Sequence, residues 1–194
     1  MNRFCIILLL PTVGIVSAFA RTAPLVQDSP KQIVERFLAF ETAGGRLTPD
    51  GWRKADQFFS RPAEPVAGKD VSVIFPRYSV SEPSIKEKKA DVVVQVLPQG
   101  RMDPELRFVP SQNYKEGLLF HLVLVSTYPV VDSKGQRSKE VTGPPEWRLE
   151  NTGPAMWLNI ATTIRYVMVT REKTTNPIVR KNAEETLAEL RKLH

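Results

Sequence analysis

Cysteine and histidine are nearly missing from this chain, and their scarcity removes much of the familiar chemistry of protein sites. The 194 residues contain one cysteine and two histidines. The cysteine, Cys5, lies near the amino terminus, and one histidine, His194, is the last residue. A zinc site built from paired histidines, a cysteine cluster, and a Ser-His-Asp constellation with a histidine to spare are all hard to assemble from that stock. No Gly-x-x-x-x-Gly-Lys phosphate loop and no dinucleotide fingerprint occurs, which argues against nucleotide hydrolysis and dehydrogenase chemistry. The sequence therefore implies neither a metal nor a cofactor. Long apolar runs are also missing after the first twenty residues, so no second membrane span is expected.

Charge is present without being clustered. The chain carries 27 Lys+Arg against 21 Asp+Glu, a formal +6. Its cations are dispersed: Lys86, Lys88 and Lys89 surround Glu87, while Lys134, Arg137 and Lys139 sit in a Gly-containing turn. No block of like charge is interleaved with aromatics, so nucleic acid is not an expected partner.

The most informative segment lies at the beginning. Arg3 gives a positive start, Phe4 to Val16 a mostly apolar stretch, and Ser17-Ala18-Phe19-Ala20 the small-x-small ending that a signal peptidase reads. Pro11 and Gly14 interrupt the apolar stretch, which favours a cleaved leader over an anchor. Cleavage with Ala18 and Ala20 at the peptidase positions predicts an exported protein, periplasmic or extracellular. The leader removes only Arg3 from the 27 cations, leaving a formal +5, and takes Cys5 with it. Without disulfides an exported domain needs a core of adequate size. The reading is a leader over 1–20, a flexible lead-in over 21–29 and one domain over 30–194.

Local signals divide the domain into helices, strands and helices again. Ser29-Pro30-Lys31-Gln32 combines a cap, an N1 proline and the glutamine of a capping box, followed by an apolar face of Ile33, Val34, Phe37, Leu38 and Phe40. Gly44-Gly45 ends that helix, and Thr48-Pro49 starts another with Trp52, Ala55, Phe58 and Phe59 inside. The period changes after Lys69. Strands are predicted over 71–75, at Val80, over 90–97 after a hairpin turn at 85–89, over 118–128 and over 146–149. Residues 106–109 form a short strand or a loop. The run 118–128 has apolar residues in both alternating sets, which predicts cover on both faces. Helix is expected again from Pro154, with Met156, Trp157, Ile160, Ile164 and Val167 on one face. A last helix starts at Asn176-Pro177, with a stripe of Val179, Ala183, Leu187 and Leu190.

Runs of one element followed by runs of the other define an α+β protein. The expected architecture is two N-terminal helices packed on a curved antiparallel sheet of about four to five strands, followed by two C-terminal helices. Over residues 30–150 this order, with the segment Arg46-Leu47-Thr48-Pro49-Asp50-Gly51-Trp52, resembles exported members of the nuclear transport factor 2-like, or cystatin-like, superfamily. The resemblance implies a cone-shaped fold that hosts isomerases and dehydratases as well as non-catalytic binding and dimerising domains. The two C-terminal helices depart from its usual pattern.

Four side chains are candidates to line a cavity: His121, Tyr128, Asp91 and Trp147. His121 stands between Phe120 and Leu122, which predicts a packed, hydrogen-bonded core histidine; the competing role is that of a general base. By the resemblance, a carboxylate such as Asp91 would act opposite a tyrosine, although no catalytic residue carries over by motif. Asp91 otherwise reads as a solvated strand end, Tyr128 as a packing residue and Trp147 as a core anchor whose edge a cavity could share. The expected function is that of an exported non-catalytic domain that binds a protein partner or a small apolar ligand, or forms a homodimer through its sheet. A small lyase or isomerase with an acid–base pair inside the cone, and an envelope scaffolding component, are the alternatives.

Overall fold

The structure, a computed structural model, describes residues 27–62, 72–111, 115–132, 140–150 and 155–193. The leader with Ala18 and Ala20, most of the lead-in and the turn at 133–135 lie outside the described residues. Within them the chain is α+β, with four α-helices and nine strands.

The first helix, α1 (Pro30–Thr42), begins as its sequence dictates. The Ser29 hydroxyl accepts from Gln32 N at 3.3 Å, and Ser29 N donates to Gln32 Oε1 at 2.7 Å, a reciprocal capping box behind an N1 proline. The chain leaves α1 through Gly44 at φ 90°, a left-handed conformation that a residue without Cβ enters freely. After a single 3-10 turn, α2 (Pro49–Ala55) starts with the Thr48 hydroxyl accepting from Gly51 N at 3.1 Å. The two helices do not cover the sheet as a pair. Strands contact α1, whereas α2 packs chiefly against the 3-10 turns that flank it.

That corner is closed by a buried ion pair. Arg46 Nε donates to Glu41 Oε2 at 2.8 Å and Arg46 Nη2 to Glu41 Oε1 at 2.6 Å. The two residues are 3 % and 1 % exposed. Further bonds run from Arg46 Nη2 to the Ala155 carbonyl and from Trp157 N to Glu41 Oε1, which ties the corner to the distant chain at 155–157. Trp52, expected on an inner stripe, is instead half-buried, with the Arg46 guanidinium 4.8 Å above its ring. The stretch 46–52 that carried the family resemblance thus has a structural task.

The larger sheet has the order β2 (Tyr78–Val80), β4 (Lys89–Val96), β7 (Glu116–Tyr128), β8 (Val141–Leu149), with β3 (Ser84–Lys86) also against β4, and every pairing is antiparallel. The smaller sheet has the order β6 (Phe108–Pro110), β5 (Gly100–Met102), β1 (Ser72–Ile74), β9 (Met156–Leu158). Its β1–β9 pair is parallel. Residues 156–158, expected to be helical, therefore form a strand. Trp157 and Leu158 are buried beside β1, and the helix waits until α3 (Ile160–Lys173), where the Asn159 side chain caps Thr162 N at 2.7 Å.

Two cores meet across the smaller sheet because strand side chains alternate. Val73 faces a cluster with α1 and the larger sheet, and Ile74 faces a second one under α3 and α4 (Pro177–Leu193). Phe37 organises the first, with edge-on contacts to Phe58, Phe59, Phe120 and Trp157 at centroid distances of 5.6–6.2 Å. These rings fill the space between α1 and the larger sheet. In the second cluster the α4 stripe of Ala183, Leu187 and Leu190 is buried as expected. It is joined by Thr186, whose hydroxyl donates to the Leu106 carbonyl at 2.6 Å and accepts from Phe108 N at 3.1 Å.

Candidate functional site

The four candidate residues separate into two places. His121 and Asp91 are cross-strand partners in the β4–β7 register, with His121 Nδ1 2.7 Å from Asp91 Oδ1. Their side chains are 53 % and 55 % exposed. The expected core histidine is therefore a surface residue. The reason is parity: Phe120 and Leu122 point into the core, so Leu119 and His121 point away, and that face of β7 carries no cover. Leu119 is 54 % exposed, and the two-sided burial expected for this strand does not occur.

Around the pair, a row of polar residues crosses the sheet. Ser84 opposes Asp91 from β3, and Glu150 N donates to the His121 carbonyl at 2.9 Å beyond β7. The row borders an open groove of about 720 Å³, rimmed by Lys86, Lys88 and Lys89. Asp91 lies between Ser84 and His121, whereas a serine nucleophile needs the histidine in the middle. His121 Nδ1 and Asp91 Oδ1 share one hydrogen bond across the two strands. Both side chains are more than half exposed, so water solvates both groups.

Tyr128 and Trp147 belong to the other place, at the far end of β7 and on β8. Tyr128 lies seven positions from His121 along one strand, about 24 Å at strand rise, and Trp147 pairs with Leu124 on the inner, core-facing side, so neither lines the groove of His121 and Asp91. The Tyr128 hydroxyl donates to Glu146 Oε1 at 2.9 Å. Burial first, then this hydrogen bond and the Glu146 charge, raise the pKa of the phenol; Arg148 pulls the other way. Arg148 Nη2 donates to Glu146 Oε2 at 2.6 Å, and the guanidinium lies 4.3 Å from the Tyr128 ring centre. Arg148 Nη1 donates to the Gln57 carbonyl. Its Nε is buried and has no acceptor, and an unpartnered buried N–H of this kind costs about 1–3 kcal/mol.

Two clefts open on either side of Gln57 and Arg148. The larger, about 490 Å³, has apolar walls of Ile33, Phe58, Pro144, Pro145 and Trp147. Trp147 is a core residue, 9 % exposed, and is also among the residues that line this cleft. Along β8, the register against β7 shifts around Gly143-Pro144-Pro145, because two prolines cannot donate to the ladder. The smaller cleft, about 300 Å³, is bordered by Lys54, Pro129, Val130, Val131 and Asp132. Arg148, Glu146 and Gln57 were not singled out from the sequence. The one signal was an arginine in a strand whose neighbours Trp147 and Leu149 are apolar.

Among the described residues no group of three or more His, Cys, Asp or Glu side chains is placed to hold a metal, and no helix is long and apolar enough to cross a membrane. The chain matches no family model, and no curated protein or solved structure is significantly similar to it.

Proposed function

We propose that this protein is an exported, non-catalytic binding domain whose site is the cleft between α1 and β8, where a small apolar ligand lies along Trp147. The observation that carries this reading is the cleft itself: about 490 Å³ walled by Ile33, Phe58, Trp147 and two prolines, with a few polar groups at one end. Pockets for small ligands have this size and this mixture of apolar wall and sparse polar anchors. Export is supported by the leader ending in Ala18-Phe19-Ala20. Membership of the nuclear transport factor 2-like superfamily is part of the same proposal. It is supported by the contacts of α1 with β2, β4 and β8 of an antiparallel sheet.

Calorimetry with 1-octanol tests the site. Pro145 is exposed on the cleft wall, so Pro145→Glu leaves the core intact while placing a charge against the ligand. The expected result is millimolar or tighter binding to the wild type that falls about tenfold in the variant. Equal binding by both proteins, or none by either, contradicts the proposal.

A second reading is favoured by a separate observation. Exposed Leu119 and its half-buried cross-strand partner Val93 form an apolar pair on the outer face of the larger sheet. Pairing of two copies through this face would cover them. Sedimentation should then show a dimer that Leu119→Lys dissociates; a monomeric wild type removes this reading.

A further inference from the structure

Resting on the binding site proposed above, we infer that its ligand is an amphipathic carboxylate whose head group is held at the Gln57–Arg148 waist by Arg148 and Lys54. The inference starts from how the charges are shared. Of the cations lining the two clefts, Arg36 is paired with Asp28 and Arg148 with Glu146 through Nη2. Lys54, at the rim of the smaller cleft, has no ion-pair partner among the described residues. Asp132, the acid on the same rim, is already engaged in an interaction of its own.

Arg148 adds the second, independent observation. Its side chain is 8 % exposed and lines both clefts, yet Nε has no hydrogen-bond acceptor. Glu146 and the Gln57 carbonyl each accept one of the guanidinium's five N–H groups, so Arg148 keeps donors to spare, and Glu146 already spends part of its charge on Tyr128. A carboxylate is the ligand group that presents acceptors to a guanidinium and charge to an ammonium together. The apolar remainder of such a molecule has the Trp147 cleft on one side of the waist and Pro129, Val130 and Val131 on the other. A cationic head group would meet Lys54 and Arg148 unfavourably, and a neutral one would gain from neither.

The test compares octanoate, 1-octanol and octylammonium against the full mature chain by calorimetry at one ionic strength. Octanoate is expected to bind about tenfold more tightly than octanol, and octylammonium more weakly than either. Lys54 is exposed in the last turn of α2, so Lys54→Glu should fold normally. It should bring octanoate down to the affinity of octanol while leaving octanol unchanged, and Lys54→Arg should keep the preference. Equal binding of octanoate and octanol by the wild type overturns the head-group assignment and leaves the apolar site standing. So does a Lys54→Glu variant that weakens both ligands alike. Failure of all three ligands to bind overturns the assignment together with the site beneath it.

Discussion

Tyr128 shows how one side chain can report on its corner of the fold. Burial and the hydrogen bond to Glu146 raise its pKa above the ordinary phenol value. The folded state therefore keeps the proton longer than the unfolded chain does. Stability from this group is complete below the unfolded pKa, about 10, and is lost as pH rises through the higher folded value. Urea unfolding between pH 8 and 11 should show that decline, and Tyr128→Phe should flatten it at a cost of about 1 kcal/mol near neutrality. An unchanged slope in the variant would remove Tyr128 as its source. His121 makes the opposite case. Exposed and paired only with exposed Asp91, it should tolerate His121→Asn with a stability change within about 1 kcal/mol; a loss of several would restore it to the core. Its flanking residues, Phe120 and Leu122, are indeed buried, and the sequence made them legible as a core strand. What it did not reveal was that the outward set of the same strand, Leu119 and His121, would be left without cover, because cover is supplied by elements remote in sequence.

The turn between α1 and α2 is the element with the largest expected energetic consequences. Breaking the Arg46–Glu41 pair by Arg46→Met strands a buried carboxylate and should cost about 3–5 kcal/mol, measured by chemical unfolding. The double variant with Glu41→Leu should regain much of it. At Gly51 a Cβ would stand 1.5 Å from the Gly45 carbonyl oxygen, so Gly51→Ala must displace backbone and belongs among the severe substitutions. Trp52→Ala, which a fully buried ring would make as costly as other deep aromatic truncations, should cost only about 2 kcal/mol, since Trp52 is only partly buried. Helix starts at Ser29, Thr48 and Asn176 were legible because capping is a contact within four residues. The buried Glu41 was in principle legible too, lying four residues beyond Phe37 on the apolar stripe. Strand β9 was not, since Met156–Leu158 becomes a strand only by pairing with β1, more than eighty residues earlier.

At the scale of the whole molecule, the two sheets, α1 and the C-terminal helices leave the interior filled by Phe37, Phe120 and Trp157 and place open space at the periphery, between α1 and β8. An α+β layout was legible from the succession of periods. Its division into two sheets was not, because β5 and β9 are three residues each and carry too little alternation to announce themselves. The proposed export is tested at this scale: the amino terminus of the processed protein should be Arg21, by sequencing or intact mass, and a product retaining Met1 would refute the leader. The central claim, that binding occurs at the Trp147 cleft and not at the His121–Asp91 groove, is tested most directly by a two-dimensional amide NMR titration with octanoate. The account predicts shifts concentrated at Ile33, Phe58 and the Trp147 indole, with His121 and Asp91 still. Shifts centred on His121 and Asp91, with Trp147 unmoved, would contradict it.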